Sequence, residues 1–366
     1  GKIIKVGIFD ELKSDNVDIH KIDGHQVCLP GFVDSHTHIC FGGTRARDYA
    51  DRNAGKTYLE IAKAGGGIWD TVTQTRKAPQ EELVKGIIYR SKKHLKNGVT
   101  TIEVKSGYGL SVDEELKMLR AIQQANATTN ASLVPTCLAA HMKPKDWHQD
   151  KDYLDVIIHE LFPIIKAENL ARRVDAFVEE SAFSPEEIRP YFQKAKEMGF
   201  DITVHADQFT TGGSQVAVDF DAVSADHLEA STEKEIQLLA KSNTIATALP
   251  GASIGLGCAY TPARKILDAG GAVSIASDHN PGSAPMGDLL TQASILGTFE
   301  KLSNTEVLAG ITSRAAAALR LTDRGKLEEG AQADFVVFPT DNYQEITYHQ
   351  GQLKPSEVWK KGAPIH

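Results

Sequence analysis

Cysteine is scarce: Cys28, Cys40, Cys137 and Cys258 are spread over 366 residues with no Cys-x-x-Cys pair. That spacing excludes a disulfide-stapled secreted scaffold and reads as reduced thiols in a cytoplasmic protein. No apolar run of about 18 residues occurs, and the N-terminus lacks the charged, apolar, small-residue order of an export signal, so neither a membrane span nor export is expected. The chain opens at Gly1 without Met and already reads as strand there, so residues upstream are expected. The 40 Lys and Arg are scattered and outnumbered by 48 Asp and Glu, for a net charge of −8. A phosphate-backbone footprint is missing, which argues against nucleic acid as a partner. There is no solenoid repeat and no low-complexity tract. With 41% hydrophobic and 24% charged residues, and ordinary Gly and Pro usage, disordered, collagen-like and coiled-coil classes are excluded.

What is present is an alternation. From residue 31 onward, short β-rich runs alternate with stretches of helical period, the mark of βα units around a parallel sheet. Strands are expected at 31–38, 99–106, 132–141, 173–180, 201–207, 222–227, 244–250 and 272–278, with helices such as 81–96, 113–125, 184–197 and 232–240 between them. Several helices open on a Ser, Thr or Asp cap with Glu nearby. Eight such units close into a (β/α)8 TIM-like barrel, assigned to 31–324. Residues 1–30 and 325–366 read as short strands separated by turns, and they are expected to pair into one small composite β-sandwich domain.

In such a barrel, reactive side chains belong at the C-terminal strand ends, which surround the open mouth. The first strand ends in Asp34-Ser35-His36-Thr37-His38, where a period of two puts both imidazoles on one side. One His-x-His is a modest signal. Later strands end in Val204-His205-Ala206-Asp207, Ala225-Asp226-His227 and Ser277-Asp278-His279-Asn280, so histidine or aspartate recurs at the expected rims. His36, His38, His205 and Asp278 make a three-nitrogen, one-oxygen set suited to Zn2+ or Fe2+ with a water in the remaining position. Asp278 is placed to touch the ion and take the water's proton, and His227 to donate to the oxyanion formed when a carbonyl is attacked. The fourth strand ends in Val178-Glu179-Glu180 without a lysine that could bridge two ions, so one divalent ion is expected.

The run from Pro30 to His38, together with His205, His227, Asp278 and the flanking β segments, resembles the amidohydrolase superfamily across nearly the whole chain. Phe41-Gly42-Gly43-Thr44-Arg45, the run from Glu103 to Leu110, Ser224 to Leu228 and Asn280-Pro281-Gly282-Ser283 are similar to its branch that opens a cyclic amide in histidine degradation. That resemblance implies hydrolysis of 4-imidazolone-5-propanoate to N-formimino-L-glutamate, Arg45 as the clamp for the propionate, and Tyr108, His141, Asn280, Gly282 and Ser283 around the substrate. It also implies a homodimer.

One departure bears on the chemistry. Members that carry a glutamate three residues after the strand-five histidine use it for proton transfer, whereas this chain has Gln208, an amide that orients but takes no proton. Base duty then falls to Asp278, with His227 assisting. A deaminase of the same superfamily and a barrel that serves only as a binding scaffold are the rival readings. His279 should point away from its neighbour Asp278 and is left off the metal. His20, His25, His94, His148, His159, His349 and His366 read as surface or packing residues. Gly65-Gly66-Gly67 lacks the Lys-Ser/Thr of a phosphate loop and reads as a flexible or close-packed loop near the mouth.

Overall fold

The computed structural model describes residues 1–14, 16–148 and 151–365. Twelve strands are formed there: β1 Val27–Pro30, β2 Phe32–Asp34, β3 Val99–Lys105, β4 Ser132–Ala140, β5 Arg173–Val178, β6 Asp201–Ala206, β7 Ser224–His227, β8 Ile245–Ala248, β9 Val273–Ile275, β10 Phe335–Phe338, β11 Glu357–Lys360 and β12 Ala363–Pro364. Strands β2 to β9 pair in parallel, each with its sequence neighbour, as eight consecutive βα units dictate. The ring is drawn together at its C-terminal rim. There Thr37 bridges His279, His38 N–H donates to the His279 carbonyl at 3.0 Å, and Asp278 N–H donates to the His36 carbonyl at 3.0 Å.

Helices form where the apolar period predicted them, as at Gln80–Lys96, Val112–Asn126 and Glu233–Ala240. The Glu235 carboxylate takes the Thr232 N–H at 3.1 Å, the reciprocal half of a capping box. The third helix is shorter than expected. It runs Arg189–Glu197, because Ser184 and Glu187 satisfy each other in a turn ahead of it.

Alternate residues of β3 divide by face. Ile102 and Val104 are fully buried in the apolar layer under the helices, while Thr101, Glu103 and Lys105 turn the other way. The barrel interior is polar instead of aliphatic: Thr203 meets Ser224 at 2.7 Å, Thr247 meets Ser274 at 2.8 Å, and Thr136 donates to Glu103 at 2.5 Å. These groups are buried and bonded to one another, as burial of polar atoms requires.

Outside the barrel, β1, β10, β11 and β12 form one antiparallel sheet in that order, joining the two ends of the chain. A facing second sheet, expected of a sandwich, is not formed among the described residues. Of the short strands expected before Val27, one bridge forms, Lys2 with Gln332, and Ile4, Val6, Ile8, Phe9, Val17 and Ile19 stay exposed. β10 is bonded on both sides, and among the described residues the segment before Val27 adds no strand to the free edge of β1.

Candidate active site

Strands β2, β6, β7 and β9 end at one mouth, and their C-terminal residues converge. His36 Nε2 lies 3.2 Å from His38 Nε2, which lies 3.3 Å from His205 Nε2. Asp278 Oδ1 stands 3.4 Å from His38 Nε2 and 3.7 Å from His36 Nε2. All four side chains are buried. His36 Nδ1 is 2.6 Å from Asp226 Oδ2 and His205 Nδ1 is 2.9 Å from Asp175 Oδ2, so a carboxylate faces each Nδ1, which favours the tautomer that turns an Nε2 lone pair inward. At most one contact of this tight trio is an N–H···N bond. The rest oppose lone pairs at van der Waals distance or less, an arrangement that a cation relieves. The donor set therefore fits a divalent metal ion.

Burial lowers the pKa of His36 and His38 well below the ordinary imidazole value, with neighbouring cationic groups adding to it, and it lowers His205 to about 4. Neutral imidazoles are what a metal ligand set needs. Burial pushes the Asp278 carboxyl up to about 6, and His227 opposes that rise. Burial alone would depress His227, but Glu229, 3.4 Å from its Nδ1, with Asp278 and Asp226, raises it above its ordinary value. The His227 ring stands 5.4 Å from that of His205 and 5.9 Å from that of His36, beside the cluster. Its backbone has φ of 86°, in the left-handed region, and its carbonyl accepts from Thr261.

The remaining expected residues line the same mouth. His141 stacks on His38 at 5.5 Å between centroids, and Tyr108 lies 5.9 Å from His38 and 5.4 Å from His141. His141 Nδ1 meets the Gly107 carbonyl at 2.9 Å, and burial lowers this ring to about 4, so its Nε2 is a free acceptor. Arg45 Nε donates to Asp48 Oδ2 at 2.9 Å, and its guanidinium runs so close to Gly282 that a Cβ there would fall 2.1 Å from Nη1. Asn280 is turned onto its own loop. Its Nδ2 donates to the Asp278 carbonyl at 2.7 Å and to Ser283 Oγ at 2.9 Å, while its Oδ1 accepts from Gly282 and Ser283 N–H, both at 2.8 Å. Ser283 Oγ in turn lies 3.4 Å from Asp278 Oδ2. Gln208 is half-buried, and its side chain makes no hydrogen bond among the described residues.

His279 turns away from the cluster to His94, with 2.9 Å between Nδ1 and Nε2. His94 is buried in its helix, and His20, His159 and His349 bond exposed partners. His366 lies outside the described residues. The Gly65–Gly67 loop caps the helix Ile68–Lys77, with Gly67 N–H on Asp48 Oδ2 at 2.8 Å and Gly66 too close to Asp48 for any side chain.

Several residues with no assigned role in the sequence reading organise the site. Asp175, Asp226, Glu103 and Lys105 fill the lumen beneath the histidines. Glu179 accepts from Phe209 N–H at 2.9 Å and Thr210 N–H at 3.2 Å, and Asp207 accepts from Ser214 N–H at 3.1 Å, so together they pin the loop that carries Gln208. The available signal was the period of two itself: charged residues at alternate positions of strands whose other face is apolar.

Comparison with known proteins agrees with this geometry. Residues 50–366 match the amidohydrolase family. Over 378 aligned residues the chain is 40% identical to the imidazolonepropionase of Symbiobacterium thermophilum, covering 100% of this chain and 88% of that one. It is 43% identical to that of Myxococcus xanthus over 337 residues, covering 91% and 80%. The chain belongs to the amidohydrolase family, and within it to the imidazolonepropionases. It is accordingly a hydrolase acting on a carbon–nitrogen bond. Among solved structures, atrazine chlorohydrolase of Arthrobacter aurescens in complex with zinc superposes with a TM-score of 0.76 at 19% identity, covering 100% of this chain and 88% of that one, a likeness of fold. No helix among the described residues is long and apolar enough to cross a membrane.

Proposed function

We propose that the chain hydrolyses 4-imidazolone-5-propanoate to N-formimino-L-glutamate, with one divalent ion, Zn2+ or Fe2+, held by His36, His38, His205 and Asp278. The observation that carries this reading is the convergence of three Nε2 atoms and one carboxylate, in a chain 40% identical over its whole length to an imidazolonepropionase. When bound, the ion supplies Lewis acidity and a water of lowered pKa.

The chain's own groups do the rest. Asp278, with a carboxyl already pushed toward neutrality, takes the proton of the attacking water. The water oxygen bonds to the ring carbonyl carbon, and His227, whose protonated form Glu229 favours, donates to the oxygen that gains charge. The ring carbon–nitrogen bond then breaks, its electron pair stays on nitrogen, and Asp278 returns the proton there, leaving a carboxylate on the product. Arg45 holds the propionate, with its guanidinium aimed by Asp48 along Gly282. Tyr108 and His141 flank the ring. Gln208 orients by hydrogen bonding and carries no proton. Asn280 acts through its loop, which sets Gly282 and Ser283 against Arg45 and Asp278.

We further propose a barrel unit of 31–324 beside a composite unit of 1–30 and 325–366, acting as a cytoplasmic homodimer. Sedimentation of the purified chain tests the dimer. The deciding experiment for the reaction is the ultraviolet loss of freshly generated 4-imidazolone-5-propanoate, with chelator and with Zn2+ or Fe2+ restored. Metal-dependent loss with formation of N-formimino-glutamate is expected. Ammonia release from an aminated base instead would make the chain a deaminase, and no turnover of any cyclic amide by metal-loaded protein would make it a scaffold.

A further inference from the structure

Beneath the histidine cluster lies a charge cluster that the proposed reaction does not use. Lys105, at the end of β3, is fully buried and reaches across the lumen. Its Nζ lies 2.8 Å from Asp175 Oδ2 on β5, 2.8 Å from Glu103 Oε2 and 3.8 Å from Asp226 Oδ2 on β7. Asp175 and Asp226 are the carboxylates that face His205 Nδ1 and His36 Nδ1. One ammonium therefore sits behind two of the three clustered imidazoles, through one carboxylate each. The third imidazole, His38, is held otherwise, by stacking on His141.

We propose that Lys105 is a positioning residue for the metal centre: a single cation that holds Asp175 and Asp226 in place, so that both fix the Nδ1–H tautomer and aim of His205 and His36. This rests on reading the three-histidine cluster as a metal site. The need for such a group is electrostatic. Glu103, Asp175 and Asp226 are three buried like charges, and Arg173, 3.6 Å from Glu103, faces only the first of them. Without a cation between them, Asp175 and Asp226 repel Glu103 and each other, and only one neutral donor on each, Thr203 and the His205 N–H, is left to oppose their turning off the histidines. Thr203 donates to Asp226 Oδ2 at 3.1 Å and the His205 N–H to Asp175 Oδ1 at 3.2 Å, but these neutral donors each reach one carboxylate, whereas Lys105 is the cation that reaches both among the described residues.

The sign of the effect separates positioning from simple charge. Lys105 is a positive charge near a divalent cation, so if it acted only through Coulomb repulsion, its removal would tighten metal binding. If it positions the ligands, its removal weakens binding, by the tenfold to hundredfold typical of lost outer partners.

The experiment is chelator competition for Zn2+ on the purified chain and on Lys105→Met, with Lys105→Gln as the second variant should the first fail to fold. Nitrogen-15 spectra of the histidine rings in the metal-free proteins are recorded alongside. The expected result is at least tenfold weaker Zn2+ binding in a folded variant, with loss of the Nδ1–H tautomer at His36 and His205 and its retention at His141. In the Asp175→Asn/Asp226→Asn background, adding Lys105→Met should change Zn2+ affinity less than twofold, because the route is already cut. Unchanged or tighter binding in either folded single variant, or an undiminished loss in the double background, overturns the proposal. Failure of the unmodified chain to bind Zn2+ overturns instead the metal-site reading beneath it.

Discussion

Arg45 Nε donates to Asp48 Oδ2 at 2.9 Å, and the same carboxylate oxygen takes the Gly67 N–H at 2.8 Å. The proposed substrate clamp and the glycine loop at the mouth are thus tied to one anchor. Arg45→Ala should raise KM by roughly ten- to a hundredfold, the worth of a charged hydrogen-bonded pair, with kcat changed far less. Asp48→Asn should raise KM by about threefold to tenfold, since the clamp remains but loses its aim. Initial-rate kinetics over a range of substrate concentrations check both, and an unchanged KM in Arg45→Ala would remove the clamp assignment.

Asp278→Asn should lower kcat by roughly a hundred- to ten-thousandfold, the range for loss of a general base, while the far-ultraviolet dichroism stays that of the parent. It also removes one ligand charge, so Zn2+ binding should weaken in the same variant. Near-parental turnover would take the base role from Asp278.

Gln208 is half-buried with a free amide on a loop that Asp207 and Glu179 hold in place. Gln208→Ala should cost about tenfold in kcat, one hydrogen bond's worth, and leave the shape of the pH profile unchanged because an amide does not titrate. Gln208→Glu should introduce a new ionisation on the acid side of that profile. A shifted profile in Gln208→Ala would show that the residue acts through a proton after all.

Burial pushes the His94 imidazole down to about 4. The unfolded chain therefore binds more protons at this residue between about pH 4 and its ordinary pKa near 6.5, and stability rises with pH across that window. The contribution is complete above about 6.5 and is lost as pH falls through 4; its full size is about 3 kcal/mol. His94→Leu should flatten this part of the curve, measured as urea midpoints from pH 4 to 7. A parental slope in the variant would mean that other groups carry the acid sensitivity.

Stripping the metal should lower the melting temperature as well as the activity, because an ion held as proposed by His36, His38, His205 and Asp278 would bind only the folded arrangement that brings the ends of β2, β6 and β9 together. Differential scanning calorimetry with and without chelator checks this, and re-addition of Zn2+ should restore both. Equal melting temperatures would mean that no ion contributes to the fold.

The barrel was legible along the chain because each βα unit carries its own local signal: an apolar run, a cap and a helical period. The rim residues were legible for the same reason, since a strand's last inward positions can be counted by twos, and His36, His38, His205 and Asp278 fall there; His227 is off that count, following the lumen-facing Ser224 and Asp226, and its backbone leaves strand geometry with φ of 86°. The strands expected ahead of Val27 did not form among the described residues, where the segment makes one bridge, Lys2 with Gln332, and nothing from it is added to the free edge of β1.

What the amino-acid sequence determined by itself is therefore everything that depends on neighbours in the chain: strand and helix periods, the strand-end histidines and the absence of a phosphate loop. Only the tertiary structure decided which buried charges meet. Lys105, Asp175 and Asp226 come from three strands, and a period of two marks each as inward without saying which of them meet; the 2.8 Å and 3.8 Å separations that make them one cluster exist only once the barrel closes. Closure also decided that Arg45 lies along Gly282. Contacts across a lumen are set by strand register and stagger around the whole ring, and no single segment carries that information.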